Sequence, residues 1–171
     1  MLKTFLLAFI LLFLSGSCLN AQEYDQKKWQ AFFEGGSEMG VPCDKYQVKK
    51  ILKKAEEFVG VKHCMGGYSK KCIDCSGLVK ISLEAGGCIV EARIAEDLAR
   101  YGKMEFNQLA LEPGDLVFFT GTYKAKRLVS HAGIVIGNEE FIHTSSSKGV
   151  MVSSYADGYW SDHFIFGTKM Q

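Results

Sequence analysis

The sequence lacks any excess of one charge sign. Its 171 residues contain 20 Lys and Arg against 19 Asp and Glu, which gives a formal net charge of +1. A chain so close to neutral has no long-range field that attracts nucleic acid or an anionic membrane surface. We therefore expect neither partner. The length suits one domain with a sizeable core and is too short for two ordinary domains.

The sequence also lacks an apolar run long enough to span a bilayer comfortably. Its longest run, Phe5–Leu14, follows a basic residue and precedes small residues, which is the pattern of a secretory signal peptide. We predict a signal peptide at residues 1–21, cleaved after Ala21, with no membrane span left afterwards. The alternative is a lipoprotein anchored through Cys18, although Ser15 stands where such a site normally has an apolar residue. In either case we expect export to the periplasm, cell envelope or exterior.

Metal and redox signatures are incomplete. Cys72 and Cys75 have C-x-x-C spacing, but there is no second close pair and no H-x-x-x-H. Structural zinc sites usually repeat the close pair, and a thioredoxin-like redox pair belongs to a βαβ context that is missing here. Both interpretations remain as minor alternatives, and we expect no metal and no cofactor. Internal repeats and low-complexity tracts are also missing.

The cysteine count favours one reactive thiol. Export removes or modifies Cys18, and five cysteines remain, namely Cys43, Cys64, Cys72, Cys75 and Cys88. An odd number in a disulfide-permitting compartment is what two bridges and one free thiol would give. The pairing cannot be read from the sequence. We expect Cys75 to be the free one.

The order of periodic segments indicates an α+β fold. Residues 22–43 form an N-terminal extension, and residues 44–171 form the main domain. Within it we predict a helix N-capped by Asp44 and running to Gly60, a second helix over residues 75–85, and a third over residues 91–101. Short apolar runs follow, which predict an antiparallel sheet of about five to six strands. These runs are Leu116–Phe119, Ala132–Ile136, Glu140–His143, Val150–Ser153 and Phe164–Phe166.

Three residues have the types that nucleophilic thiol catalysis needs. Cys75 stands where a glycine-containing loop becomes an apolar helix, and the unpaired amides and positive dipole end there favour a thiolate. His131 enters one predicted strand, and His143 lies on the next. An imidazole must take the thiol proton, and a third polar group must hold that imidazole's tautomer and orientation. In isolation each residue has a more ordinary explanation, as a buried thiol, a strand-end histidine or a surface histidine.

Four ordered motifs carry a resemblance to a known family. The chain from about Val48 to Phe166 resembles the NlpC-type cell-wall peptidases, which are papain-like cysteine endopeptidases acting on peptidoglycan stem peptides. The motifs are Gly66-Gly67 followed by DCSGLV at Asp74–Val79, EPGDLVFF at Glu112–Phe119, SHAGIVIG at Ser130–Gly137, and FIHTSSSKGV at Phe141–Val150. The resemblance implies a papain-like NlpC-type fold, in which the helix that starts at Cys75 packs on the antiparallel sheet.

The resemblance also implies roles for individual residues. Cys75 would be the nucleophile, His131 the general base and acid, and His143 the residue that orients His131. Asp74 and Ser76 match positions that help bind the substrate in the family. Arg93 falls where the family often has an arginine, although a structural ion pair is the more ordinary interpretation.

One departure from the family pattern concerns substrate binding. His63 and Met65 stand where the family usually has a tyrosine and a tryptophan. That tyrosine commonly lines the substrate subsite, so the departure bears on fine specificity. His63 is a candidate replacement for the tyrosine hydroxyl as a hydrogen-bonding group.

The implied reaction is hydrolysis of the bond between γ-D-glutamate and the diamino acid of the stem peptide, through a thioester on Cys75. Two alternatives remain open. The same residues would serve an amidase that cuts between the lactyl group and L-alanine, or an antibacterial effector with either specificity. A wall-binding protein without activity would use the same fold as a scaffold. We expect a monomer.

Overall fold

A computed structural model describes residues 16–43 and 45–171. Most of the predicted signal peptide, residues 1–15, therefore lies outside the described residues. So does Asp44, the predicted N-cap. In the described part no helix is both long enough and apolar enough to cross a membrane.

Five α-helices and eight strands make up the described chain. The helices are α1 (Gly16–Glu34), α2 (Val48–Glu56), α3 (Cys75–Ala85), α4 (Ala95–Leu98) and α5 (Gly158–His163). The strands are β1 (Tyr68–Ser69), β2 (Cys72–Ile73), β3 (Lys103–Glu105), β4 (Leu116–Phe119), β5 (His131–Gly137), β6 (Glu140–Ser145), β7 (Gly149–Ser154) and β8 (Phe164–Lys169). A short 3₁₀ helix covers Gln108–Ala110.

Six of the strands form one antiparallel sheet in the order β3-β8-β4-β5-β6-β7. Strand β5 is central, and its first residue, His131, pairs with Phe119 of β4. Strand β6 pairs with β7 along its whole length, which sets His143 opposite Met151. The other two strands, β1 and β2, form a small hairpin just before α3. The predicted α+β fold and the predicted sheet are confirmed.

The sheet separates two clusters of buried side chains. Helices α2 and α3 pack on one face against Leu116, Phe118 and Ile134. Because successive strand residues point to opposite faces, Val117, Phe119 and Phe141 lie on the other face, where α5 covers them through Trp160. Helix α3 and helix α5 therefore flank the same central strands from opposite sides.

Helix α3 has the bounds that the sequence predicts. Asp74 is its N-cap with extended backbone angles, and its side chain accepts a hydrogen bond from the N–H of Gly77. Buried Leu78, Val79 and Leu83 give the helix its apolar face. Gly77 is required by a close approach, because a Cβ there would lie 2.5 Å from the carbonyl oxygen of Gly67.

The helix predicted over residues 91–101 is wrong in extent. Only Ala95–Leu98 is α-helical, and Ile94 before it is extended. The segment before it is held by side-chain contacts instead, since the carbonyl of Arg93 lies 2.8 Å from Ser76 Oγ and its guanidinium binds Asp74. Helix α2 also starts later than expected, with Gln47 and not Asp44 at its N-cap position, and it ends earlier, at Glu56.

The N-terminal extension packs on the main domain. Phe32 of α1 is fully buried, and its ring lies 5.7 Å from that of Phe166 in β8. The guanidinium of Arg100 donates hydrogen bonds to the carbonyls of Phe32 and Gly36. A buried ring and a charge-assisted anchor hold this segment against the sheet.

Two disulfides form, and the predicted division of the cysteines is confirmed. Cys43 pairs with Cys88, and Cys64 pairs with Cys72. Among the cysteines whose side chains the structure describes, Cys75 is the free one. The first bridge ties the segment before α2 to the end of α3, and the second closes the loop that leads into α3.

Candidate functional site

The Cys75 thiol lies at the first residue of α3, against the beginning of β5. Its sulfur is within hydrogen-bonding reach of the backbone of Ala132, the residue after His131. The cap takes the N–H of Gly77, so the backbone amides of Cys75 and Ser76 are the ones that face the thiol. When the thiol attacks a substrate carbonyl, the oxyanion that forms on the carbonyl oxygen would therefore lie near N–H donors at the helix end.

The carboxylate of Asp74 is held entirely by the protein. Its two oxygens accept five hydrogen bonds, from the N–H groups of Gly66 and Gly77, from Ser76 Oγ and from both terminal nitrogens of Arg93. The Arg93 contacts are 2.9 and 3.0 Å, which is a bidentate pair. These hydrogen bonds outweigh burial and lower the pKa of Asp74.

Arg93 also joins the loop before α3 to the helix. Its Nη2 donates to the carbonyl of Gly67, and its Nη1 donates to Ser76 Oγ. The arginine and Asp74 therefore fix the turn that presents Cys75. These contacts agree with the interpretation of Arg93 as part of a structural ion pair. The Asp74 oxygens already accept hydrogen bonds from the protein, and a contact between Asp74 and the substrate stays a prediction.

His131 and His143 form one hydrogen-bonded pair. The Nε2 atom of His131 lies 3.0 Å from Nδ1 of His143, and the Nε2 atom of His143 lies 2.9 Å from Ser153 Oγ. Since Nε2 of His131 is engaged, Nδ1 is the ring nitrogen left for the thiol. The predicted pair is thus in contact, and the chain of hydrogen bonds continues to Ser153 on β7.

Aromatic rings surround both imidazoles. The indole of Trp160 stacks on His131, with centroids 5.3 Å apart and an interplanar angle of 26°, and meets the ring of His143 at 4.7 Å. Phe141 stacks on His143 with centroids 4.7 Å apart, and the ring of Phe119 is tilted by 44° to that of His131 at 6.2 Å. This packing fixes the planes of the two rings and removes water from them.

Burial keeps the histidines neutral at ordinary pH. It lowers the pKa of His131 to about 3, with smaller effects from His143 and His63, and it lowers the pKa of His143 to about 4. Burial raises the pKa of Cys75 to about 11, against the hydrogen bond from the Ala132 backbone, and Asp74 raises it further. Burial therefore opposes the stabilisation of a thiolate that we expect from the helix end.

A cleft of about 720 Å³ opens beside Cys75 and His131. His63, Asp74 and Ser76 also line this cleft, so five of the six predicted site residues lie along it. The sixth, His143, does not line the cleft and contacts His131. Met65 stands at the rim and is 80% exposed. The cleft also includes Arg127 and Tyr123 from the loop before β5, and Tyr159 and Trp160 from α5.

The C-x-x-C spacing does not form a cysteine pair. Cys72 is bonded to Cys64, which leaves Cys75, three residues further along the chain, as a free thiol. Within residues 16–43 and 45–171, no three His, Cys, Asp or Glu side chains come together as a metal site would require. The redox and zinc interpretations of this spacing therefore lack a second ligand or partner here.

Two residues of the site were missed at the level of sequence. Ser153 extends the histidine pair, and Trp160 covers it. Ser153 sits among several serines in a short strand, so nothing local distinguishes it. Trp160 follows Gly158 and Tyr159 in a six-residue helix, and its aromatic side chain is the one signal that could have drawn attention to it.

A free thiol at a helix N-terminus shares one cleft with His131, whose ring is hydrogen-bonded to a second imidazole on the antiparallel sheet. This arrangement is that of a papain-like thiol hydrolase domain. The chain belongs to the NlpC/P60 family, whose model matches residues 60–169. Both the predicted resemblance and the predicted fold are thereby confirmed.

Relatives with defined names cover the same part of the chain. It is 34% identical over 115 residues to the murein DD-endopeptidase MepS/murein LD-carboxypeptidase of Escherichia coli K12, covering 67% of this chain and 58% of that protein. It is 36% identical over 111 residues to the gamma-DL-glutamyl hydrolase of Bacillus subtilis, covering 64% of this chain and 26% of that protein. The chain thus spans less than two thirds of the length of either relative.

A solved structure shares the fold. An NLP/P60-family protein from Staphylococcus aureus, described as similar to lipoprotein, superposes with a TM-score of 0.66 at 28% identity. The superposition covers 76% of this chain and 43% of that one.

Proposed function

We propose that the protein is an exported cysteine endopeptidase that hydrolyses peptidoglycan stem peptides. The observation that carries the proposal is that one cleft is lined by the free Cys75 thiol and by His131, whose Nε2 atom is already hydrogen-bonded to His143. His131 can offer Nδ1 as a base to the thiol while Nε2 stays on His143. The names of the relatives, a murein endopeptidase and a glutamyl hydrolase, support the substrate class.

The reaction begins from a neutral thiol and a neutral imidazole. As Cys75 attacks the scissile carbonyl, its proton passes to His131 Nδ1, and the carbonyl oxygen becomes an oxyanion held by the amides at the start of α3. His131 then protonates the departing amine, and the C–N bond breaks to leave a thioester on Cys75. Water, deprotonated by His131, attacks the thioester and releases the acid and the thiol.

Among the bonds of the stem peptide, the one between γ-D-glutamate and the diamino acid is our choice. The similarity to a gamma-DL-glutamyl hydrolase supports a glutamyl side-chain carbonyl as the acyl group. The similarity to a DD-endopeptidase supports a different bond in the same polymer as the second candidate. Both reactions would use the same three side chains.

The cleft residues that precede α3 are the proposed substrate contacts. His63 lines the cleft, and its electrostatic interaction with His131 lowers the pKa of His131. The imidazole of His63 can hydrogen-bond a substrate group. Ser76 and Asp74 contribute the wall beside the thiol, and Asp74 acts mainly by holding Arg93 and the turn. If His63→Ala left turnover and substrate preference unchanged, the role of His63 would be refuted.

Export would deliver the protein to its polymer. The apolar run Phe5–Leu14 supports a signal peptide at residues 1–21, with lipid at Cys18 as the alternative form of maturation. Intact mass of the protein purified from cells distinguishes the two, since a lipidated Cys18 would add the mass of its acyl chains.

Defined stem peptides test the bond. The purified protein is incubated with a tripeptide of L-alanine, γ-D-glutamate and a diamino acid, with a crosslinked dimer, and with intact peptidoglycan. A product ending in γ-D-glutamate supports the proposal. Cleavage at the D-alanyl crosslink alone moves the assignment to a DD-endopeptidase, release of a whole stem peptide moves it to an amidase, and no product favours the binding-protein alternative.

A further inference from the structure

Ser153 is the last member of a hydrogen-bonded chain that begins at the site. The chain runs from His131 Nε2 to His143 Nδ1 over 3.0 Å, and from His143 Nε2 to Ser153 Oγ over 2.9 Å. Each neutral imidazole has one N–H donor and one bare nitrogen acceptor. Fixing the proton at one end of such a chain therefore fixes it at every link.

The proton arrangement decides whether His131 can act as a base. If His143 Nε2 carries a proton and donates it to Ser153, then His143 Nδ1 is bare and accepts from His131 Nε2. His131 Nδ1 is then bare and can take the thiol proton. If Ser153 donates to His143 Nε2 instead, every step reverses, and His131 Nδ1 already carries a proton.

The side chains around His143 fix the position of its ring, so the remaining question is which ring nitrogen carries the proton. The ring of His143 packs against both Phe141 and Trp160, with ring centroids 4.7 Å away in each case, so its plane is fixed by packing. Ser153 is partly exposed, so its hydroxyl proton has water as an acceptor, and its oxygen is free to accept from the imidazole.

We propose that Ser153 is a positioning residue whose hydroxyl oxygen accepts a hydrogen bond from His143 Nε2, and thereby holds His131 in the tautomer with a bare Nδ1. This inference rests on the proposed function of Cys75 and His131, and it adds a fourth residue on β7 to them. The serine touches no substrate and acts only through His143.

A matched pair of variants separates the hydroxyl from the space it fills. Ser153→Thr keeps an acceptor oxygen. Ser153→Val introduces a side chain of the same shape as threonine but without that oxygen. Valine suits a strand position, so both variants should fold. The adjacent Ser154 serves as a control, because its hydroxyl bonds the carbonyl of Glu139 in the turn and not a histidine.

Two measurements on the same purified variants test the inference. Nitrogen-15 NMR of labelled histidine reports which ring nitrogen carries the proton, and steady-state hydrolysis of a stem tripeptide reports kcat and KM. We expect protonated Nε2 on both rings in the wild-type, Ser153→Thr and Ser154→Ala proteins. In Ser153→Val we expect a mixture of tautomers and a fall in kcat of about ten-fold, the effect of one lost hydrogen bond, with KM unchanged.

Other outcomes overturn the inference. If Ser153→Val kept the tautomers of the wild-type protein, the inference would be overturned whether or not kcat fell. A fall in kcat without a change of tautomer would be an effect of packing. Equal losses in the threonine and valine variants would overturn the inference as well. If the wild-type protein hydrolysed no stem peptide, the proposed function would fail, and the NMR comparison would still decide the role of Ser153.

Discussion

The rings of His131 and His143 stand perpendicular to each other, with Nε2 of the first 3.0 Å from Nδ1 of the second. Because that contact occupies one nitrogen of His131, only the other can serve Cys75. In the proposed mechanism His131 therefore transfers the proton, and His143 on the neighbouring strand orients it.

Substitution of the two histidines should give graded losses. His131→Ala removes the group that moves the proton, and we expect kcat to fall by about 10²–10⁴-fold. His143→Ala leaves the base in place without its orienting partner, so we expect a smaller fall, with KM nearly unchanged. Steady-state kinetics on a stem tripeptide measures both. An equal or larger loss in the His143 variant would contradict the assigned order.

The Cys75 thiol should react slowly with a neutral alkylating agent at pH 7. Burial raises its pKa to about 11 and holds the pKa of His131 near 3, so the resting pair is uncharged between these values. We expect the rate of iodoacetamide labelling to rise steadily with pH through the neutral range and beyond. A rate that reaches a plateau below pH 6 would instead indicate a resting thiolate-imidazolium pair. Cys75→Ala provides the blank.

Acid should destabilise the protein through the same two histidines. The unfolded chain protonates them below their ordinary pKa of 6.5, whereas the folded chain does so only near 3 and 4. The unfolded state therefore binds more protons in this window, and the free energy of unfolding falls as pH drops from 6.5 towards 4. We expect a loss on the order of 1–3 kcal/mol for each ring.

Urea unfolding at a series of pH values measures this loss. The double variant His131→Gln/His143→Gln supplies the comparison, because it keeps neutral polar groups at both positions and cannot titrate. Its stability should fall less steeply than that of the wild type between pH 6.5 and 4. Parallel curves would show that the acid sensitivity comes from carboxylates such as Asp74 and not from the histidines.

The two disulfides should affect stability and activity in opposite order. The bridge Cys43–Cys88 spans 45 residues and Cys64–Cys72 spans 8. Loop-closure entropy predicts losses of about 4 and about 2.5 kcal/mol when each pair is replaced by serine. Only Cys64–Cys72 closes the loop that carries Met65 and Gly66 into the cleft, so its removal should raise KM more.

Thermal or urea unfolding and stem-peptide kinetics on the two double-serine variants check this ordering. If removal of Cys43–Cys88 raised KM more than removal of Cys64–Cys72, the second bridge would not be the one that shapes the substrate cleft.

The sequence predicted those parts of the fold that depend on local patterns. Helix α3 was predictable at both ends because Asp74 caps it and paired glycines follow it. The helix predicted over residues 91–101 was wrong because long-range contacts of Arg93 with Asp74 and Ser76 override the local periodicity. Hairpin β1–β2 has two residues in each strand and gave no periodic signal.

The sequence allowed Cys75, His131 and His143 to be selected as candidate site residues, but it did not predict the side chains that surround them. Cys75, His131 and His143 stand in motifs with characteristic neighbours. Ser153 and Trp160 reach the site only through strand pairing and the packing of α5, which no local pattern encodes. The effect of burial on the pKa of the thiol could not be predicted for a similar reason, since burial depends on the whole fold while the helix end is local.

The most direct test of the account is a search for the thioester on Cys75. The wild-type protein and Cys75→Ala are mixed with an L-alanyl-γ-D-glutamyl-diamino acid tripeptide, quenched in acid during turnover, and analysed by intact and peptide mass spectrometry. We predict an L-alanyl-γ-D-glutamyl adduct on the peptide containing Cys75, and no adduct or product with Cys75→Ala. Hydrolysis that persists in Cys75→Ala would contradict the central claim that this thiol is the nucleophile.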